Sequence, residues 1–122
     1  NFMCKETDYF GHILKNHLIN KRLKDLGIGS NYIAFYYLSE ILRKMIQDDA
    51  TIQSFSRQIY PRLAQKYSKN DCTVERDIRN IISIKWDTDL KQQLSHYWLK
   101  DSPPSCCQFI KIVKDFITDY FV

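Results

Sequence analysis

Glycine and proline are scarce in this chain, with three of each among 122 residues. Tight turns draw on these two residues, so the shortage argues against an all-β fold. Metal-ligand spacing is missing as well. Cys4, Cys72, Cys106 and Cys107 form no C-x-x-C and have no neighbouring histidine pair. Adjacent Cys106 and Cys107 are poor partners for each other, so the reading is four free thiols in a reducing compartment, with a cytoplasmic location expected. There is no signal peptide and no apolar run long enough to span a bilayer, so no membrane partner is expected. The chain does not begin with Met, which suggests a piece excised from a longer protein.

Catalytic signatures are equally absent. The sequence has no G-x-S-x-G, P-loop or H-E-x-x-H. Its carboxylates are scattered singly, with no pair in an apolar setting that would drive their pKa values apart. The thiols lack a histidine to orient them. No catalytic residue, metal or cofactor is therefore expected, and the protein does not read as an enzyme.

What is present is the make-up of one helical globule. At 44% apolar and 26% charged, the chain can bury a core without disulfides or metal. Aromatics reach 14% and crowd around Tyr32, Phe35, Tyr36 and Tyr37; helix packing is their expected use, not a base-stacking platform. The net charge of +4 permits an anionic partner without demanding one. Lys66, Lys69, Arg76, Arg79 and Lys85 fall close together, diluted by Asp71, Glu75 and Asp77.

Those residues belong to the most informative stretch, Ser56 to Trp86. Pro61 suits the first turn of a helix, where its missing amide costs little. Leu63, Ala64 and Tyr67 give that short helix an apolar face. Ser68-Lys69-Asn70-Asp71 then supplies turn and N-cap residues. Val74, Ile78, Ile81, Ile82 and Lys85 recur at helical spacing up to Trp86. The spacing predicts a helix-turn-helix over about 61–86, its second helix the candidate DNA reader. At ~100° per residue Arg76 falls opposite the Val74/Ile78/Ile81 stripe, flanked by Cys72, Thr73, Arg79, Asn80 and Ser83, with Glu75 on the border. Arg, Asn, Ser and Thr bond phosphates and base edges. An ordinary solvated face, with Glu75 and Arg79 as an i,i+4 pair, fits the spacing equally well. The small Ala64 and the polar turn after Tyr67 favour the reader.

Elsewhere, Thr7 or Asp8 is a candidate cap for a first helix carrying Phe10, Ile13, Leu14, His17 and Leu18, with His12 beside it; this helix stops at Gly27-Ile28-Gly29. The histidines have no metal partners. Ser30 is the expected cap of a broad apolar helix through Phe35, Leu38, Ile41, Leu42, Met45 and Ile46, with Arg43 and Lys44 facing out. Asp48-Asp49 ends it, and a third helix runs from Thr51 to Tyr60. After Trp86 the pattern blurs, although Leu90, Leu94, Tyr97 and Trp98 suggest another helix. Ser105 and Gln108 fit a capping box ahead of a closing helix with Phe109, Ile110, Val113, Phe116, Ile117 and Tyr120. The fold expected is an all-α single domain, 1–122, of five to six helices.

Beyond periodicity, YPRLAQKYSKNDCTVERDIRNIISIKW resembles the YP-x-[IL]-A-x-K-[FY] and V-E-R-x-I-R-x-x-I-x-x-x-W core of the C-terminal DNA-binding domains of stage-zero sporulation response regulators A. LGIGSNYIAFYYLSEIL upstream and PSCCQFI downstream are similar to further segments of that family, and the likeness spans roughly Leu23 to Phe116. The resemblance implies the effector domain of a two-component response regulator, binding double-stranded DNA through Asp71 to Trp86 as a sequence-specific transcription regulator. It implies base contacts by Glu75 (to cytosine), Arg76 (to guanine) and Arg79, and phosphate contacts by Lys66 and Lys69. Cys72, Thr73 and Asn80 are further candidate contacts. They stand where the family has serine, arginine and histidine, so a different or looser recognition box is expected. Cys106 replaces a family asparagine. The resemblance further implies an upstream receiver domain outside this chain, assembly as a tandem dimer on DNA, and contact with the RNA polymerase sigma subunit. The segment after Trp86 is several residues shorter than the family's, so no polymerase contact is carried over to named residues. The rival reading is a helical protein-interaction module that keeps the fold without binding DNA.

Overall fold

The computed structural model describes the backbone of residues 2–48 and 52–119, and the side chains of Gly11, residues 13–48, 57–70 and 72–119. Expectations for Cys4, Thr7, Asp8, His12, Asp49, Thr51, Asp71 and Tyr120 fall on residues or side chains outside that set. The described residues are helical, as expected: α1 (Phe2–Asp25), α2 (Ile33–Asp48), α3 (Ile52–Lys66), α4 (Asp71–Lys85), a π-helical turn (Trp86–Leu90) leading into the short α5 (Lys91–Gln93), and α6 (Cys106–Thr118). None of them is long and apolar enough to cross a membrane.

α1 already runs helical through Thr7 and Asp8, so neither residue starts it. Among its described side chains Ile19 and Leu23 are buried, with Leu26 just beyond, whereas Ile13 and Leu14 lie 46% and 61% exposed. The expected Ile13/Leu14 face therefore does not enter the core. At ~1.5 Å per residue α1 is ~36 Å long against ~24 Å for α2, so only part of it finds cover there. Gly27 ends the helix at φ +85°. The Ile28 amide reaches back to the Leu23 carbonyl at 3.0 Å and the Gly27 amide to Lys24 at 2.9 Å, a Schellman closure with Ile28 fully buried. A side chain at Gly27 would also meet Asp89 at 2.8 Å.

Ser30 is not the cap of α2. Residues 30–32 form a turn and the helix begins at Ile33, while the Ser30 carbonyl accepts a hydrogen bond from the Tyr36 hydroxyl at 3.1 Å. α2 is the central helix, packed against α1, α3, α4 and α6. Tyr37, Leu38, Ile41 and Leu42 have no exposed surface. Its one buried polar residue, Ser39, donates to Asn20 Oδ1 at 2.6 Å, which removes the penalty of an unpaired hydroxyl.

Pro61 does not open a helix of its own. α3 runs unbroken from Ile52 to Lys66 with Pro61 inside it. The proline deletes the amide that would bond the Arg57 carbonyl, and both Arg57 and Pro61 lie on the exposed side of the helix.

Beyond α4 the blurred sequence is helical in a wider gauge. The Lys91 amide bonds the Trp86 carbonyl, five residues back. In a plain α-helix, positions 82, 86, 90 and 94 would drift ~40° per step, leaving the fourth ~120° round from the first. The π turn takes up that drift, and Ile82, Trp86, Leu90 and Leu94 are all buried. α6 starts with the expected capping box. Ser105 Oγ accepts from the Gln108 amide at 3.3 Å, and Gln108 Oε1 accepts from the Ser105 amide at 3.0 Å. Phe109, Ile110, Val113 and Ile117 then complete the core.

Candidate nucleic-acid interface

α3 and α4 are joined by a turn closed by two backbone hydrogen bonds. The Lys69 amide bonds the Ala64 carbonyl at 2.7 Å and the Ser68 amide bonds Gln65 at 3.3 Å. This is the same closure as at Gly27, but here the left-handed position is held by Ser68, at φ +56°. A Cβ is disfavoured in that region. Ser68→Gly is therefore expected to stabilise the fold by about 0.5–1 kcal/mol, read as a Tm higher by a few degrees (~2–5 °C). A lower Tm would mean that the serine side chain supplies something the backbone does not.

α4 shows two distinct faces. Val74, Ile78, Ile81 and Ile82 are buried at 3% exposure or less, as the spacing predicts. Cys72, Arg76, Arg79, Asn80 and Ser83 are exposed on the other side, and Thr73, Glu75 and Asp77 lie between. The side chains of Arg76, Cys72, Asn80 and Lys69 make no hydrogen bond or ion pair within the described residues, and all four residues are exposed. Glu75 and Arg79 do pair, Arg79 Nη2 to Glu75 Oε1 at 2.9 Å. The pair is surface-exposed, so its contribution to stability is small; its effect is to hold the two side chains in one geometry. Arg76, opposite the buried stripe, is left unpaired beside them.

Lys66 sits differently from the other candidates. Its ammonium donates to Glu40 on α2, which also accepts from the Tyr67 hydroxyl at 3.3 Å. The hydrogen bond to Glu40 holds its pKa above the ordinary lysine value. In this arrangement Lys66 is tied to α2, and Lys69 in the turn is the unpartnered lysine next to α4.

Several residues fix the pitch of α4, and sequence reasoning did not single them out. Tyr37 of α2 donates to Asp77 Oδ2 at 3.2 Å, while its ring meets Tyr67 edge-on at 5.4 Å. One side chain thus ties α4 to the end of the helix before it. Burial first, then the bond to Asp77, push the Tyr37 pKa up to about 12, so the hydroxyl remains a donor. The i,i+4 spacing of Tyr37, Ile41 and Met45 was the available signal; Asp77 looked like a diluting charge and is an acceptor. From α6, Cys106 donates its thiol to the Glu75 backbone carbonyl at 3.6 Å. Burial, reinforced by the Glu75 carboxylate, raises its pKa and keeps it an S–H donor. Nearby, the buried Tyr60 hydroxyl has no partner within the described residues; burial raises its pKa strongly. At the far end Trp86, 4% exposed, donates its indole N–H to the Asp101 carbonyl at 2.7 Å. Cys72, Cys106 and Cys107 are all free thiols.

The geometry is that of a rigid two-helix unit displaying one polar helix face. Among known protein families, residues 19–117 match the model described as sporulation initiation factor Spo0A C terminal.

Proposed function

Since the chain belongs to the family of sporulation initiation factor Spo0A C-terminal domains, we propose that it is a sequence-specific duplex-DNA-binding transcription regulator, the effector domain of a sporulation response regulator. The observation that carries this reading is Arg76, exposed and unpartnered on α4 directly across from a fully packed stripe. Such a helix, held at both ends and by Tyr37, presents an arginine fork to a major groove with little ordering left to do. Arg76 reads guanine. Glu75 accepts from cytosine, oriented by its bond from Arg79, whose other nitrogens remain for a base or phosphate. Cys72, Thr73 and Asn80 tune the box, and Lys69 holds a phosphate. Lys66 joins it only if it leaves Glu40.

The domain acts in the cytoplasm as a tandem dimer on paired boxes and contacts the sigma subunit of RNA polymerase. No step of this function calls for catalysis, a metal or a cofactor.

Binding is expected to weaken with salt at a log–log slope of about 0.9 per phosphate neutralised, and Lys69→Ala to reduce that slope by about one unit while weakening all sequences alike. Fluorescence anisotropy of labelled duplexes over a salt series measures both. A salt-independent affinity, or none, would favour the interaction-module reading instead.

A further inference from the structure

The positive charge of this protein does not gather on the reader helix alone. A cleft of about 440 Å³ opens between α1, α2 and α3, and no residue of α4 lines it. Among the described residues Lys15, Arg43, Lys44, Arg62 and Lys66 line it, against a single carboxylate, Glu40. That carboxylate is already occupied by Lys66 and the Tyr67 hydroxyl. Arg43 spends its Nε on the Ser39 carbonyl at 3.3 Å, which leaves its two terminal nitrogens. Lys15, Lys44 and Arg62 have no anionic partner within the described residues.

Like charges converging on a concave surface repel one another and raise the local potential, a cost that a multivalent anion removes. Arginine forks match phosphate oxygens two at a time. The deeper lining is apolar, made by Ile19, Ile46 and Ile59, of which Ile19 and Ile59 are almost wholly buried. Among the described residues no aromatic ring lines the cleft. The volume is that of a small-molecule site. From this combination we propose that the cleft binds a small organic anion with at least two phosphate groups, its phosphates on the arginines and lysines and its aliphatic body on the isoleucines. Lys66 is the one lining residue that is also a candidate phosphate contact; the proposal does not rest on the DNA-reading face.

Inorganic tripolyphosphate is the probe, titrated into isotope-labelled protein and followed by amide shifts. Saturable shifts are expected around residues 15–19, 40–47 and 59–66, with a Kd below ~1 mM. Arg62→Gln should weaken binding about tenfold, the scale of one lost charge-assisted bond. Glu40→Gln removes the competing carboxylate and should tighten binding, a direction that a merely structural effect would not produce. Arg76→Ala should leave tripolyphosphate binding unchanged, and Arg62→Gln should leave duplex affinity within about twofold, the size expected for a charge outside the interface. The proposal is overturned by any of four results. One is absence of saturable shifts up to ~10 mM. The others are tighter dependence on Arg76 than on Arg62, weaker binding in Glu40→Gln, or a loss of duplex affinity in Arg62→Gln as large as in Lys69→Ala; the last would make the cleft part of the DNA footprint.

Discussion

Replacing Trp86 with alanine should destabilise the protein by about 3–5 kcal/mol and lower its Tm by at least ~10 °C. The indole is 4% exposed and sits where α4 gives way to the π turn. Its removal leaves a cavity in the buried core cluster to which it belongs, a site too closely packed to collapse fully. It also strips the Asp101 carbonyl of its donor. Thermal denaturation by circular dichroism gives the number. A Tm within error of the parent would show that the indole is dispensable and the core differently arranged. Trp86→Phe should recover part of the loss, since one ring returns while the remaining indole volume and the hydrogen bond stay missing.

The second large effect concerns DNA. Arg76→Ala should cost about 1–3 kcal/mol in affinity for the preferred duplex and relax the preference at one base position. Arg76 has no protein partner to lose, so the change should leave stability untouched and appear in binding alone. Glu75 and Arg79 keep their mutual bond in the variant, and the remaining positions of the box should be read as before. Selection from a random duplex library with parent, Arg76→Ala and Lys69→Ala proteins separates the roles. If Arg76→Ala keeps the parent's base preferences and loses only overall affinity, Arg76 is a phosphate contact.

The two-faced α4 was legible from spacing because the period of Val74, Ile78, Ile81 and Ile82 is strict and each residue is buried. The capping box at Ser105 and the glycine stop at Gly27 were legible because each is local chemistry with one dominant solution. Pro61 misled because a proline reads as a start signal, while tertiary cover on both flanks let α3 run through it. The Ile13/Leu14 face misled for a different reason: periodicity reports amphipathicity, not whether a partner is long enough to cover it. The stretch after Trp86 blurred because a wider helix obeys neither common period. Within the candidate site, the outward residues could be placed from the sequence. The buried supports (Tyr37 on Asp77, Cys106 on the Glu75 carbonyl) could not, since they join residues 40 and 31 positions apart.

The π turn has a consequence for how this chain tolerates changes of length. Five residues fill it where the common helix would ask for fewer, so the segment holds one residue of slack between a fixed indole upstream and buried Leu90 and Leu94 downstream. Deleting a residue from the exposed pair Asp87 and Thr88 would tighten the turn to ordinary pitch and leave the downstream residues near their present places, because the lost residue comes out of the turn's own slack. Leu90 and Leu94 would stay on the buried side, while Trp86, pinned by Asp101, shields the residues before it. Variation in length is thereby absorbed within the turn, and the angle at which Arg76 is presented stays the same.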